Sequence, residues 1–216
     1  MKKKHEQSII DAFFNHFKRI AKKRYNRQVT HCSMDGQDSS LGADYLFTDN
    51  TRFILAEFKY REQDLSSEKR KPRMLRMCLL LDKDTTRKKQ SLCCHYISWS
   101  ALPKINFNQY YLEICNKNIF GNDDLKNECP DKSTRKSADQ VIDAFLTQKI
   151  GAEYDLFKKY TEWLLKIDDN GESGVEIILD NPDSQELQLL DFKSIQSLKK
   201  WLDSNSPQIG LSRSSP

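Results

Sequence analysis

The chain has 216 residues, of which 38% are hydrophobic and 31% charged, and its 35 basic and 31 acidic side chains leave a net charge of +4. This composition is typical of a globular protein and excludes a wholly disordered chain. Every apolar run is far shorter than the roughly 20 residues that span a bilayer, so no transmembrane helix is predicted. Lys2 to Lys4 resemble the start of a signal peptide, but no continuous apolar segment follows them. We therefore predict a cytoplasmic protein with no membrane association.

The first predicted element is an amphipathic helix over residues 4–24, in which apolar side chains recur at helical spacing from Ile9 to Ala21. Glu6 lies on the apolar face of this helix, where a carboxylate is unexpected. A short strand over residues 28–32 and a loop over 35–40 follow. Two β-rich runs, at 42–48 and 52–60, flank a short polar turn and predict a β-hairpin.

A buried helix is predicted over residues 72–81, because Pro72 suits a first helical turn and the apolar side chains share one side. A strand over 91–99 follows, and then a strand or short helix around 110–114. The predicted order through residue 100 is helix, three strands, helix and strand, which indicates an α/β fold.

Residues 121–137 are poor in apolar side chains and predict a linker or a long surface loop. Beyond them we predict helices over 138–149 and 154–167, a hairpin of strands 175–179 and 186–192, and a helix over 194–202. The predicted organisation is a core at residues 1–120, the connecting segment 121–137, a C-terminal extension of helices and a hairpin at 138–203, and a disordered tail at 204–216.

The six cysteines include no Cys-x-x-Cys pair, so the sequence predicts reduced thiols rather than a disulfide framework or a zinc ribbon. The run Cys93-Cys94-His95 is no better as a metal site. On the predicted strand its three side chains would point to alternating faces and could not converge on one ion.

The first hairpin carries the most specific chemistry. A two-residue turn at Asn50 and Thr51 would place Asp44 directly opposite Glu57, with Lys59 on the same face. Facing carboxylates repel each other across a sheet, and a cation bound between them would explain the pair.

The same residues predict a hydrolytic metal site. Mg²⁺ would be held by Asp44, Glu57 and the main-chain carbonyl of Phe58, while Lys59 orients the attacking water or stabilises the charge of the transition state. Glu6 is available as a further ligand of the metal or of its water.

The set Asp44, Glu57-Phe58-Lys59 and the leading-helix Glu6, in the order helix, three strands, helix and strand, resembles the PD-(D/E)XK nuclease superfamily of restriction-endonuclease-like enzymes. The likeness covers roughly residues 4–100. The chain departs from the motif at Gly42-Ala43-Asp44, where no proline precedes the aspartate.

This resemblance implies a restriction-endonuclease-like αβββαβ core, with a mixed central sheet flanked by helices, followed by the C-terminal α+β extension. It implies a Mg²⁺-dependent nuclease, with Mn²⁺ as a substitute, that cleaves phosphodiester bonds, usually in DNA. Small nucleases of this kind often serve as one subunit of a bacterial defence, restriction or mobile-element system, an inference from fold alone.

Three alternatives stay open at this point. The chemistry suits a ribonuclease of the same fold equally well, and a catalytically silent nucleic-acid-binding or scaffold subunit could retain the hairpin. A second acid-x-Lys triplet, Asp191-Phe192-Lys193, lies in the later hairpin, where one register would place Glu176 opposite Asp191. We interpret that hairpin as part of an accessory surface for a second copy of the chain or a partner protein.

Charge is unevenly distributed along the chain. Residues 1–30 carry nine basic and two acidic side chains and residues 61–90 carry ten and five, whereas residues 31–60 carry two and five. Basic segments around an acidic centre suit a protein that holds a polyanion next to bound cations, although solvated lysine faces give the same pattern. The predicted phosphate-binding residues are Lys22, Lys23, Arg70, Lys71, Arg73 and Arg76.

Overall fold

The computed structural model describes residues 2–34, 41–167, 175–181 and 186–192. Within them, seven α-helices span Lys2–Tyr25 (α1), Pro72–Lys83 (α2), Thr85–Cys94 (α3), Tyr110–Ile114 (α4), Lys117–Phe120 (α5), Ala138–Leu146 (α6) and Tyr154–Leu165 (α7). Eight strands span Thr30–Ser33 (β1), Tyr45–Thr48 (β2), Phe53–Arg61 (β3), His95–Ala101 (β4), Lys104–Gln109 (β5), Lys136–Ser137 (β6), Val175–Asn181 (β7) and Glu186–Phe192 (β8). Two 3₁₀ helices cover Glu62–Arg70 and Lys132–Thr134.

The strands form one mixed sheet in the order β6-β5-β4-β3-β2-β1-β7-β8. Strands β3 and β4 run parallel, and every other neighbouring pair is antiparallel. The six strands from β6 to β1 form the part of the sheet that the helices flank, and the hairpin of β7 and β8 extends it beyond β1. The predicted α/β class and the mixed, helix-flanked sheet are therefore confirmed.

Two hydrophobic cores lie on opposite faces of the sheet. Helices α1 and α6 cover one face, and α2, α3, α4 and α7 cover the other. The pleat of β3 explains the division, because successive side chains of a strand point to opposite faces. Ile54, Ala56 and Phe58 enter the core under α1, whereas Phe53 and Leu55 enter the core under α2. Glu57 and Lys59 continue the second face.

Most of the predicted elements before residue 168 are present. The helix predicted at 72–81 is α2, those predicted at 138–149 and 154–167 are α6 and α7, and the helical alternative at 110–114 is α4. Strand β5 was not predicted. The loop predicted at 35–40, the helix at 194–202 and the tail at 204–216 lie outside the described residues.

The strand predicted at 91–99 is wrong in its first half. Residues 85–94 form α3, and β4 begins only at His95. The helix is initiated by Asp84, whose carboxylate accepts hydrogen bonds from the main-chain N–H groups of Thr86 and Arg87, both at 2.9 Å. This cap outweighs the β-rich composition of the residues that follow.

The prediction of uniformly reduced thiols is also wrong, because a disulfide joins Cys78 of α2 to Cys115. The two residues are 37 positions apart in sequence, and packing of α2 and α4 on the same face of the sheet brings their Cα atoms to 5.1 Å. The run Cys93-Cys94-His95 spans the end of α3 and the start of β4 rather than a single strand. Cys93 and Cys94 instead donate to the main-chain carbonyls of Gly151 and Gln90.

The segment 121–137 packs against the rest of the chain. Leu125 is buried in the core under α2, and Asn127 forms a β-bridge with Asn116. Strand β6 closes the segment and pairs with β5. None of the helices in the described part of the chain is both long enough and apolar enough to cross a membrane.

Candidate active site

The four residues predicted to be catalytic line one cavity of about 390 Å³. Glu6 reaches it from α1, Asp44 from the residue before β2, and Glu57 and Lys59 from β3. Lys71, which immediately precedes α2, also lines the cavity. The structure therefore assembles residues from four separate elements at one place, as the sequence predicts.

The register of the hairpin brings the acidic pair together. Leu46 pairs with Leu55 and Tyr45 with Ala56, and this is the register expected from a turn centred on Asn50 and Thr51. The main-chain N–H of Asp44 continues the ladder by donating to the carbonyl of Ala56 at 3.0 Å.

The carboxylate of Asp44 accepts a main-chain hydrogen bond and is repelled by the nearby carboxylate of Glu57. Its Oδ2 accepts a hydrogen bond of 2.7 Å from the N–H of Phe58. Burial and the nearby carboxylate of Glu57 raise the pKa of Asp44 well above its usual value, and the ammonium of Lys59 and the Phe58 hydrogen bond offset only part of this rise. The pair therefore carries the like-charge repulsion that the sequence indicated.

Glu57 belongs to a partly exposed cluster that we call the Lys–Glu quartet: Glu57, Glu68, Lys59 and Lys71. The ammonium of Lys59 contacts Glu57 and lies 2.9 Å from Glu68, and that of Lys71 lies 2.7 Å from Glu57 and 3.0 Å from Glu68. Each lysine thus contacts both glutamates. The two carboxylates are almost completely inaccessible, with exposed fractions of 1% for Glu57 and 0% for Glu68.

The quartet fixes the charge of its lysines. Burial alone would lower the pKa of Lys59, but Glu57 and Glu68 overcome this effect and raise it. The pKa of Lys71 is raised for the same reasons. Burial would likewise raise the pKa of Glu68, yet Lys59, Lys71 and the hydroxyl of Tyr110 together lower it to about 2. The contacts with Glu57 and Glu68 therefore favour the charged, hydrogen-bond-donating form of Lys59.

Glu6 lies at the edge of the cavity. Its side chain is half-buried, and its pKa is raised, mainly by burial and further by Glu57 and Asp64, against the opposing effect of Lys59. Its carboxyl group thus responds to the charges of the quartet from across the cavity. This position agrees with a ligand that acts through water.

The segment before Asp44 is shaped by close packing. Gly42 adopts a φ of +66°, and a Cβ at this position would lie 2.6 Å from the sulfur of Met74. The carbonyl of Gly42 lies 2.9 Å from Nε2 of the buried His95, and Nδ1 of His95 lies 2.9 Å from the hydroxyl of Tyr160. Because a carbonyl only accepts, Nε2 carries the proton and Nδ1 accepts from Tyr160.

The predicted phosphate-binding residues are dispersed. Of the six, only Lys71 lines the cavity. Arg73 donates to the main-chain carbonyl of Leu164 in α7. The other four are exposed and lie near the end of α1 or around the start of α2: Lys22, Lys23, Arg70 and Arg76.

The cavity offers oxygen donors of the kind that Mg²⁺ prefers, but few of them. Among the described residues, no group of three or more His, Cys, Asp or Glu side chains is placed to hold a metal ion. One donor is nevertheless unused: Oε2 of Glu57 is buried and has no hydrogen-bond partner. Glu57 and Asp44, which both line the cavity, are the side chains that could hold a cation there.

Relatives give no independent indication of function. No family model, curated protein or solved structure matches this chain.

The later hairpin has the register in which Glu176 pairs with Asp191. The strand register of the later hairpin thus places two acidic residues opposite each other, as in the first hairpin. Lys193, which would complete the second triplet, lies outside the described residues, and the proposed accessory role of this hairpin stays a prediction.

Sequence reasoning missed Glu68, Tyr110 and His95. Glu68 was missed because the polar residues 62–70 show no apolar pattern, yet they form a 3₁₀ helix in which Glu68 is buried. His95 and Tyr110 carry ordinary core patterns. The one available signal was the spacing of Glu68 and Lys71, three residues apart and directly before a proline-initiated helix.

Proposed function

We propose that this protein is a divalent-metal-dependent nuclease that hydrolyses phosphodiester bonds, with DNA as the favoured substrate. The observation that carries the proposal is the convergence of Glu6, Asp44, Glu57 and Lys59 on one cavity. These residue types in this order led to the resemblance to PD-(D/E)XK nucleases, and the preference for DNA comes from that resemblance alone.

Charge balance supports a divalent cation. Around the cavity, Glu6, Asp44 and the Lys–Glu quartet contribute four carboxyl and two ammonium groups. When all six are ionised, two negative charges remain without a counter-ion. Burial is the main cause of the raised pKa values of Asp44 and Glu6, and the nearby charge of Glu57 raises both further.

In the proposed complex Asp44 and Glu57 hold Mg²⁺, with Mn²⁺ as a substitute, the Phe58 carbonyl as a third donor and Glu6 linked through water. Such an ion, when bound, acidifies a water molecule and polarises a phosphate oxygen. The chain's own contribution is orientation: the N–H of Phe58 fixes the Asp44 carboxylate, and the packing at Gly42 fixes the main chain that leads to it.

Lys59 supplies positive charge to the reaction. Its raised pKa keeps it protonated, so it can donate a hydrogen bond to a phosphate oxygen whose negative charge grows in the transition state. The exposed fraction of its side chain is only 11%, and a charge interaction in such a poorly solvated place is stronger than at the surface.

The decisive experiment incubates the purified protein with plasmid DNA, single-stranded DNA and RNA in Mg²⁺, Mn²⁺, Ca²⁺ or excess EDTA. We expect cleavage in Mg²⁺ and Mn²⁺, none in EDTA, and binding without turnover in Ca²⁺. Cleavage of RNA alone would reassign the substrate to the ribonuclease alternative. Undiminished cleavage in excess EDTA would refute the metal mechanism.

The chain provides a matched control. Glu57→Gln removes one acid of the first hairpin, and Asp191→Asn removes one acid of the equivalent pair in the later hairpin. We expect the first variant to lose cleavage and the second to retain it. The reverse result would move the active site to the later hairpin.

One observation favours the silent binding subunit as a second candidate. Both lysines of the quartet already neutralise Glu57, and the described residues provide only two close acids for a metal. This candidate predicts DNA binding that is unaffected by EDTA, together with the absence of cleavage under every metal condition.

A further inference from the structure

Glu68 is the residue around which the lysines of the cavity are organised. It lies in the 3₁₀ helix after β3, and its Oε1 receives both ammonium groups, at 2.9 Å from Lys59 and 3.0 Å from Lys71. Its other oxygen, Oε2, accepts a hydrogen bond of 2.5 Å from the hydroxyl of Tyr110. Oε1 thus makes two ion pairs but accepts no hydrogen bond, whereas Oε2 is hydrogen-bonded.

The side chains around Glu68 are closely packed. Tyr110 is completely buried, and its ring stacks on His95 with centroids 4.6 Å apart. The main-chain carbonyl of Glu68 also accepts from the N–H of Lys71 at 2.9 Å, which fixes the lysine's main chain at the start of α2. Glu68 therefore connects the core under α2 to the charged groups of the cavity.

Resting on the proposed nuclease function, we propose that Glu68 is a positioning residue that holds Lys59 and Lys71 side by side, so that two ammonium groups, and not one, serve the same phosphate. Lys59 alone could rotate away from Glu57 whenever a cation takes that carboxylate. Glu68 provides a second carboxylate that keeps both lysines in place when Glu57 is engaged elsewhere. The site thereby becomes a paired-lysine phosphate site.

The role of Glu68 differs from that of an ordinary buried salt bridge. Glu113 is equally buried and pairs with Arg135, but neither residue lines the cavity. Both glutamates should contribute to stability. Only Glu68 should influence the lysines that contact substrate, and Glu113 is therefore the matched control.

The first measurement is steady-state cleavage of a plasmid in Mg²⁺ by Glu68→Gln and Glu113→Gln, with thermal unfolding recorded for both. Glutamine keeps the shape of Glu68 and can accept from Tyr110, but it loses the charge. We expect Glu68→Gln to lower kcat roughly 10- to 100-fold with KM within about three-fold, because displaced catalytic groups cost rates of this order. Glu113→Gln should leave kcat unchanged.

A double-mutant cycle shows whether Glu68 acts through Lys59. In a Lys59→Ala background, Glu68→Gln should lower kcat by less than about three-fold, since most of the partner effect is already lost. Equal losses in both backgrounds would refute a role through Lys59. An unchanged kcat in Glu68→Gln, with cleavage abolished by Glu57→Gln, would refute the positioning role and leave the proposed nuclease standing.

Lysine acylation gives a readout that needs no activity. Limited treatment with acetic anhydride, quantified residue by residue by mass spectrometry, should acetylate Lys59 and Lys71 faster in Glu68→Gln than in the protein without the substitution. Lys117, which pairs with Glu128 at the surface, should react at the same rate in both. Unchanged rates at Lys59 and Lys71 would overturn the proposal even if no polymer is cleaved, in which case the nuclease assignment fails separately.

Discussion

His95 makes the stability of the fold depend on pH in a window that the structure defines. The imidazole is completely buried, and burial lowers its pKa from 6.5 to about 4, while the Gly42 carbonyl and Glu68 oppose the change and Lys71 and Arg73 reinforce it. Its two nitrogens are already committed to Gly42 and Tyr160. A proton on Nδ1 would break the hydrogen bond that Tyr160 donates.

The sign of the effect follows from linkage. Between pH 6.5 and about 4 the unfolded chain binds a proton at His95 that the folded chain does not, so the free energy of unfolding falls as the pH is lowered through this window. Each unit of difference between the folded and unfolded pKa is worth about 1.4 kcal/mol, so the total decrease in the free energy of unfolding is roughly 3 kcal/mol. About 2 kcal/mol of this decrease should appear between pH 7 and pH 5. Above pH 6.5 the contribution is complete.

Urea unfolding from about pH 7 to pH 4, in EDTA, measures this loss, and His95→Gln provides the comparison because it cannot titrate. The carboxylates of the cavity titrate in both proteins, so the difference between the two curves isolates His95. The ¹⁵N shifts of the imidazole test the same point without a substitution and should report a neutral ring with the proton on Nε2 down to about pH 4. Parallel stability curves, or a ring that titrates near 6.5, would refute the reasoning.

Three further predictions concern the cavity and its surroundings. Lys59→Ala should lower cleavage by two orders of magnitude or more, about 2.7 kcal/mol, while DNA binding in Ca²⁺ survives; equal loss of binding and cleavage would contradict a role confined to the transition state. Asp44→Asn should raise the melting temperature of the EDTA-treated protein at neutral pH. The pKa of Asp44 is raised in the folded state, so above its ordinary pKa of 3.8 the charged carboxylate destabilises the fold. An unchanged or lower melting temperature would show that the carboxylate is not repelled. Charge reversal at the exposed Arg70 and Arg76 should reduce the slope of log K for DNA against log salt by about 2, as measured by fluorescence anisotropy, and an unchanged slope would remove these two residues from the interface.

The first hairpin shows why part of the site was predictable. Its register depends on a short turn and on the alternation of side chains, both of which are local, so the positions of Asp44, Glu57 and Lys59 follow from sequence alone. Glu6 was predictable for a similar reason, as a carboxylate on an otherwise apolar helical face. Local rules fix each of these side chains before any tertiary contact is considered.

The unpredicted parts of the structure depend on contacts between distant segments. The Cys78–Cys115 disulfide depends on the packing of α2 against α4. The inward position of Glu68 depends on its ion pair with Lys59 and on the hydrogen bond that Tyr110 donates to it. Strand β5 was missed because Lys104-Ile105-Asn106 is too polar for a buried strand. Its pairing with β4, rather than its own composition, determines its conformation.

The Lys–Glu quartet bears on the choice between an active enzyme and a silent scaffold. Taking ions out of water costs several kcal/mol each, and well-packed apolar side chains of similar volume usually give equal or greater stability. A scaffold that needed only the hairpin would gain by replacing all four residues of the quartet with apolar side chains. Asp44 adds to the cost, since burial and Glu57 both disfavour its charge. A cation beside Asp44 and Glu57, with a phosphate at the two lysines, would offset these costs, and the arrangement therefore favours the enzyme.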